Sequence, residues 1–428
     1  MKSFFKKIVV AILTWEARAV LRKYQPKIIA VTGSVGKTST KDAIYAALHP
    51  EIKVHKNQKS FNSEIGTPLT ILGLENAWGN PFKWCWNIIR GLGKIWGKEK
   101  YPDWLILEIG ADRPNDIRRI AKWLKPQITV ITRVPEISVH IENFPNGEAI
   151  LEEKAQLLYG LSDDDVAILN ADDERIMSLA DKTKAKIVTF GKGETADWRL
   201  FHSQYIYDED KVIGIKFVGK HGKEEFDFEL RGVLGEQLVY PILIAAIVAE
   251  QFNISPNKLK EKFVKAKYPP GRMSLLEGIN DSLIIDDSYN SSPVATEAAL
   301  QALGQVQTTG RKIAVLGDML ELGQYAEMEH ERMGALALAN ADCLITVGKL
   351  VGSTKHVWQT AGGAECQSFH KSKEAGEYLK NFVQAKDVIL VKGSQGVRME
   401  RIVKDILVDK TQVDDKVVRQ SREWLRKG

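Results

Sequence analysis

Residues 32–40, T-G-S-V-G-K-T-S-T, join an apolar run, Lys27–Val31, to a stretch that favours helix. Such a junction leaves backbone N–H groups free to hold a polyphosphate. Gly33 and Gly36 let the main chain come close to phosphate oxygens, and Ser34, Val35 and Ser39 add further N–H groups. In this order Lys37 neutralises the β- and γ-phosphates while the Thr38 hydroxyl is a ligand for Mg²⁺. The loop is short: position 31 is Val, so the first glycine, Gly33, lies only three residues before Gly36. A glycine-rich turn without a ligand is the plainer alternative, and the Lys-Thr pair at the helix start weighs against it.

Glu108 closes the run D-W-L-I-L-E, at the carboxyl end of an expected strand, where ligands of α/β sheets collect. Position alone leaves it equally open to being a solvated strand-end acid. Asn57 and Asn62 stand in K-N-Q-K-S-F-N, a loop of amides and hydroxyls suited to neutral hydrogen bonds with a polar substrate or to capping turns. A lone loop histidine such as His140, or a helix lysine such as Lys154, is by residue type alone an ordinary surface group.

Taken in order, the phosphate loop, K-N-Q-K-S-F-N-S-E-I-G-T-P-L-T-I-L, L-E-I-G-A, E-E-K-A-Q-L-L, N-A-D-D-E-R-I, P-P-G-R-M, I-D-D-S-Y-N-S-S-P, V-L-G-D-M-L-E-L-G and V-K-G-S-Q-G-V-R-M-E resemble the Mur ligases across residues 27–408. Within that family the likeness is greatest to the branch that adds D-alanyl-D-alanine. The resemblance implies a cytoplasmic, ATP- and Mg²⁺-dependent ligase that joins a muramyl-peptide carboxylate to D-alanyl-D-alanine through an acyl phosphate. It implies two Mg²⁺ ions near Thr38, Glu108 and His140, with Lys154 carbamylated beside the second. Asn57 and Asn62 would meet the acceptor. Arg272 would reach ATP from the hinge, and Asp287 and Asn290 the ribose and adenine. Asp318, Glu321, His330, Lys392, Ser394 and Arg398 would line the pocket for the incoming amine, which as a dipeptide carries both a cation and a carboxylate.

The chain departs from the family pattern in three places. Arg133 replaces the Asn of T-N-x-x-x-x-H, and His140 lies two residues further on. Gln237, Leu238 and Pro241 replace the polar residues expected beside adenine; of the three, only Gln237 can hydrogen-bond a base edge. About 26 residues precede the first strand, where the nearest branch carries a domain for the uridine-diphosphate end of its substrate. The expectation is that this end is held loosely, is gripped by another protein, or is missing from the acceptor. Rival readings are another amino-acid ligation of the folylpolyglutamate synthase type, or a non-catalytic nucleotide-binding scaffold for wall enzymes.

Positioning these residues requires an α/β architecture. The runs at 27–33, 103–111, 127–134 and 166–170 alternate with helices starting near Lys37, Asn115 and Gly147, the pattern of a mainly parallel sheet. Residues 201–231 switch to period-two alternation, an antiparallel meander. Pro269-Pro270-Gly271 punctuates the chain, giving a basic leader at 1–26, a central ATP-binding domain at 27–269 and a Rossmann-like domain at 270–428. Three scattered cysteines, Cys85, Cys343 and Cys366, suggest neither a disulfide framework nor a zinc site and fit a reducing cytosol.

The net charge of +5 is concentrated in residues 1–27, with seven Lys/Arg against Glu16, so the body is near neutral and nucleic acid is not an expected partner. The apolar run Ile8–Trp15 is short for a membrane span. An amphipathic helix is expected instead, packed on the body or lying on an anionic membrane. Trp78, Trp84, Trp86, Trp96 and Trp104 fall among Lys83, Arg90, Lys94, Lys98 and Lys100. Core packing and peripheral docking at the inner membrane surface are both open for these tryptophans.

Overall fold

Short runs buried at every position, such as Ile128–Ile131 and Val166–Asn170, can be covered only in mid-sheet with helices on both faces. The computed structural model describes residues 2–57, 62–364 and 366–425 and places these runs in that setting. Met1, residues 58–61 of the amide-rich loop, and Glu365 and residues 426–428 of the second expected domain lie outside the described residues.

The first sheet has nine strands: β1 (Lys27–Thr32), β2 (Val54–Lys56), β3 (Trp104–Glu108), β4 (Ile128–Ile131), β5 (Val166–Asn170), β6 (Lys186–Gly191), β7 (Trp198–Asp208), β8 (Lys211–His221) and β9 (Glu224–Arg231). Their order is β2-β3-β1-β4-β5-β6-β7-β8-β9, parallel as far as β7 and antiparallel through β8 and β9. β1 lies between β3 and β4, so connections leave it in opposite directions and open a crevice at its carboxyl end. The second sheet has six: β10 (Ser274–Gly278), β11 (Ser282–Asp287), β12 (Lys312–Gly317), β13 (Cys343–Val347), β14 (Cys366–Phe369) and β15 (Val388–Lys392). Their order is β10-β11-β15-β12-β13-β14, parallel except for β10 at the edge.

Four N-terminal helices matter below: α1 (Lys2–Tyr24), α2 (Lys37–Leu48), α3 (Gly66–Leu72) and α4 (Pro81–Trp96). α1 is the leader. Val9, Leu13, Ala17 and Val20, at helical spacing, pack with Ile28, Ala30, Leu105 and Leu107 of the sheet. Each fully buried Val or Leu contributes roughly 1.5–3 kcal/mol. On the opposite face of the sheet, helix Val239–Glu250 is apolar all round and buried from Ile242 to Ala249, packed against α2. Pro241 sits in its first turn, where no helical N–H is lost.

Candidate active site

The phosphate loop is fixed by its glycines. Gly33 has φ +140°, and a Cβ there would lie 2.0 Å from Thr132 Oγ1; Gly36 has φ +87° and is the N-cap of α2. Having no side chain, Gly36 puts no capping group over the first turn of α2, which leaves N–H groups aimed into the crevice. The loop is tied to the end of β4 by Ser34 N–H donating to Arg133 O (2.7 Å), Thr132 Oγ donating to Val35 O (2.6 Å) and Ser138 Oγ donating to Ser34 Oγ (2.9 Å). Lys37 folds back over the loop and donates to Gly33 O at 2.9 Å. Burial pushes its ammonium below the ordinary lysine range, against the pull of Glu108.

Glu108, 2% exposed, is the anion around which this wall is organised. It accepts from Thr38 Oγ1 at 2.9 Å and from Asn62 Nδ2 at 3.1 Å, and Lys41 Nζ lies 3.8 Å away. Lys41 was not among the sequence candidates. It is fully buried on α2, pairs with Asp42 as well (3.6 Å) and donates to Asn57 O at 3.2 Å. A signal was available: Lys41, Ile44 and Leu48 share one helical stripe, so a lysine stood where a core residue belongs.

Lys154, on the helix Gly147–Ala155, is 4% exposed and lines the same cavity. Burial, and then repulsion from Lys37, bring its pKa down to about 7. The preceding Glu153 holds the backbone in place, accepting from the N–H groups of Asn115, Ile117 and Arg118. His140 has φ +72° and reaches two carboxylates, Asp112 at 3.4 Å and Glu321 at 2.6 Å. Glu321 belongs to the segment after β12, so this contact joins the two sheet units across the crevice.

Arg272 makes a second bridge. Its guanidinium lies 4.2 Å from the Tyr289 ring centroid and donates to Thr38 Oγ1 at 3.2 Å. Lys392, 2% exposed, pairs with Asp287 at 2.5 Å and donates to Asn290 O at 3.1 Å. Burial lifts the Asp287 carboxyl against that pairing. Ser394 Oγ accepts from Leu320 N–H at 2.9 Å. Neighbouring Asp286 is fully buried, and its Oδ1 accepts from Ser288 N–H at 3.0 Å, which holds the turn.

One cavity of about 460 Å³ gathers most of the sequence candidates. It brings together the loop from Gly33 to Ser39 with Asn62, Glu108, His140 and Lys154 from the first unit. Arg272, Asp287, Asn290, Glu321, Lys392 and Ser394 face them, joined by Gln237, Leu238 and Asp112. Four candidates lie elsewhere. Asn57 is buried behind α2 beside Lys41. Asp318 accepts the N–H groups of Lys349, Leu350 and Val351 and so fixes the loop after β13. His330, 1% exposed, accepts from Met319 N–H at 3.0 Å, and burial lowers its pKa. Arg398 pairs with Glu400 at 2.5 Å and lies near the Trp424 ring.

The chemistry of the cavity is that of a polyanion site: Lys37, Lys154, Arg272 and Lys392 converge on it, and loop N–H groups close one end. Comparison with known proteins agrees with this geometry. Residues 31–249 match the Mur ligase middle domain and residues 271–395 the Mur ligase, glutamate ligase domain. A UDP-N-acetylmuramoyl-tripeptide–D-alanyl-D-alanine ligase of Bacillus subtilis is 30% identical over 398 residues, covering 91% of this chain and 78% of that protein. Its counterpart in Mycobacterium tuberculosis is 29% identical, covering 90% and 73%. Among solved structures, the MurF ligase of Thermotoga maritima in complex with ADP has a TM-score of 0.76 at 25% identity, over 92% of this chain and 83% of that one. The fold extends to a folylpolyglutamate synthase of Mycobacterium tuberculosis, with a TM-score of 0.64 at 14% identity over 92% and 94%. With more than half its length matched by the middle-domain model alone, and that match continued by the second domain, the chain belongs to the Mur ligase family.

Proposed function

We propose that this chain is an ATP-dependent ligase of peptidoglycan precursor synthesis that activates a UDP-muramyl-peptide carboxylate and joins it to D-alanyl-D-alanine in the cytoplasm. The observation that carries the reading is the convergence of a phosphate loop with Arg272 and Lys392 from the second unit on one cavity. In this reading residues 27–269 hold the triphosphate and 270–428 present the amine, so closure of the units assembles the site and excludes water.

An acceptor carboxylate oxygen forms a bond to the γ-phosphorus as ADP leaves. The dipeptide amine then attacks the acyl carbon, inorganic phosphate departs, and the amine gives up a proton. Lys37 swings from its own loop carbonyls to the phosphates, and the N–H groups of residues 33–39 hold the β-phosphate. Thr38 and Glu108 fit one Mg²⁺, since a hydroxyl and a carboxylate 2.9 Å apart offer hard oxygen donors on one wall. His140, with Lys154 as its carbamate, would hold a second ion beside Glu108. When bound, the metal offsets charge between the carboxylate and the transferring phosphoryl group.

Arg272, oriented by Tyr289, contacts the phosphates from the hinge; Asp287 and Asn290 meet the ribose and base, with Gln237 at the base edge. Asn62 positions the acceptor near Glu108, and Asn57 supports that loop through Lys41. Glu321, Lys392 and Ser394 face the incoming amine. His330 holds the backbone leading to Glu321 through the N–H of Met319, Asp318 fixes the neighbouring loop after β13, and Arg398 is engaged by the buried Glu400. The test is phosphate release from ATP by the purified chain with UDP-muramyl-tripeptide and D-alanyl-D-alanine. Release that requires both, with a product carrying the added dipeptide mass, supports the reading. Release indifferent to the amine, or a glutamate-extended product, overturns it.

A further inference from the structure

Helix α4 turns its apolar stripe towards water. Phe82, Trp86, Ile89 and Trp96 follow one another at helical spacing and are 84%, 60%, 58% and 74% exposed. The inward side carries Trp84, Asn87 and Gly91. Gly91 faces the buried carboxylate of Glu16 on α1, where a Cβ would lie 2.1 Å from Glu16 Oε2. Glycine at this point lets the two helices pack side by side. α1 repeats the arrangement, with Ile8 43% and Trp15 54% exposed and Arg18 and Arg22 continuing their stripe.

Charge borders this apolar surface. Lys6, Lys7, Arg18, Arg22 and Lys23 are exposed on α1, and Lys83 and Arg90 on α4, with Lys98 and Lys100 just beyond. Among the described residues of these two segments the acids are the buried Glu16 and the exposed Glu99. Aromatic side chains bordered by Lys and Arg match the boundary between lipid headgroups and acyl chains. A second copy pressed on the same face would set cation against cation, whereas a surface of lipid phosphates would neutralise them. No helix among the described residues is long and apolar enough to cross a membrane.

We infer that the α1/α4 face docks this protein on an anionic phospholipid bilayer, both helices lying in the plane of the surface. The aromatic stripe enters the headgroup boundary, and each basic residue close to the surface adds about fivefold to partitioning. The inference does not depend on the ligase reading, because the crevice and its chemistry play no part in it.

Flotation of the full chain with vesicles of phosphatidylcholine, alone or mixed with phosphatidylglycerol, tests it at about 50 mM salt and again well above that, where screening is strong. Binding should need phosphatidylglycerol and weaken at least about tenfold at high salt. The double variant Trp86→Ser/Trp96→Ser changes only exposed side chains. It should lose about tenfold or more in partitioning while keeping the wild-type melting curve. Tryptophan emission of the wild type should shift to the blue on binding and be quenched by lipids brominated near the headgroup. Absence of phosphatidylglycerol-dependent flotation, or flotation unchanged in the double variant, overturns the inference. So does a dimer in sedimentation velocity that the double variant dissolves, since the face would then be covered by a second copy.

Discussion

Lys154 is the residue whose protonation state the fold has changed most usefully. A lysine at the ordinary 10.5 is neutral at pH 7 in roughly one molecule of 3,000, whereas at about 7 half the molecules carry a free amine. Carbamate forms only on the neutral amine. The environment therefore raises the reactive fraction by roughly a thousandfold. Under ¹³C-labelled bicarbonate, the wild-type chain should show a carbamate resonance near neutral pH that Lys154→Arg lacks. Its occupancy should climb through pH 7, not above pH 9. The Lys154→Arg chain should bind ATP but release phosphate at least about a hundredfold more slowly, the scale of losing one fixed electrostatic group. If wild type and Lys154→Arg give the same spectrum from pH 6.5 to 8.5, the link between the buried amine and CO₂ is refuted.

Three further outcomes follow from particular contacts. Glu16 is fully buried, neither carboxylate oxygen has a hydrogen-bond partner among the described residues, and burial raises its pKa from 4.5 to about 7. The folded chain thus binds this proton more tightly than the unfolded one, so stability is fullest below pH 4.5 and falls as pH climbs to about 7, by up to about 3 kcal/mol. In urea melts Glu16→Gln should exceed wild type by about that amount at pH 8 and match it near pH 4. Arg272→Lys removes both the stacking on Tyr289 and the planar fork, and should raise KM for ATP about tenfold or more in steady-state assays with little change in melting temperature. Lys41→Met strips the buried Glu108 of a cation and should cost about 3–5 kcal/mol in denaturant melts, well beyond any exposed lysine.

The loop, the strands around it and the two-sheet plan were legible in the sequence because each depends on local pattern. Gly33 and Gly36 announce positive φ, and β3, β4 and β5 are apolar runs too short to be helices. β2 and β14 were not legible: V-H-K and C-Q-S-F are edge strands, partly exposed and without an apolar run. Gly91 and Gly93 disguise α4 as a loop; Gly91 is there for the approach of Glu16, a contact 75 residues away in sequence.

Within the site, sequence could nominate residues but not aim them. Asp318, His330 and Arg398 lie in segments that enter the second unit's face of the crevice, yet their side chains turn back to hold N–H groups and a buried carboxylate. His140, two residues late against the family spacing, still reaches the cavity because its loop takes a left-handed turn there. Of the five clustered tryptophans, Trp84 is buried while Trp78, Trp86 and Trp96 are exposed, so neither core packing nor exposure describes the cluster as a whole.

A triphosphate held where β1 gives way to α2 should be directly measurable by titration calorimetry with Mg²⁺-ATP. Wild type should bind one nucleotide per chain, and Lys37→Ala, with an unchanged melting curve, should bind at least about tenfold more weakly. Equal affinity in the two chains, or no heat from either, would contradict it.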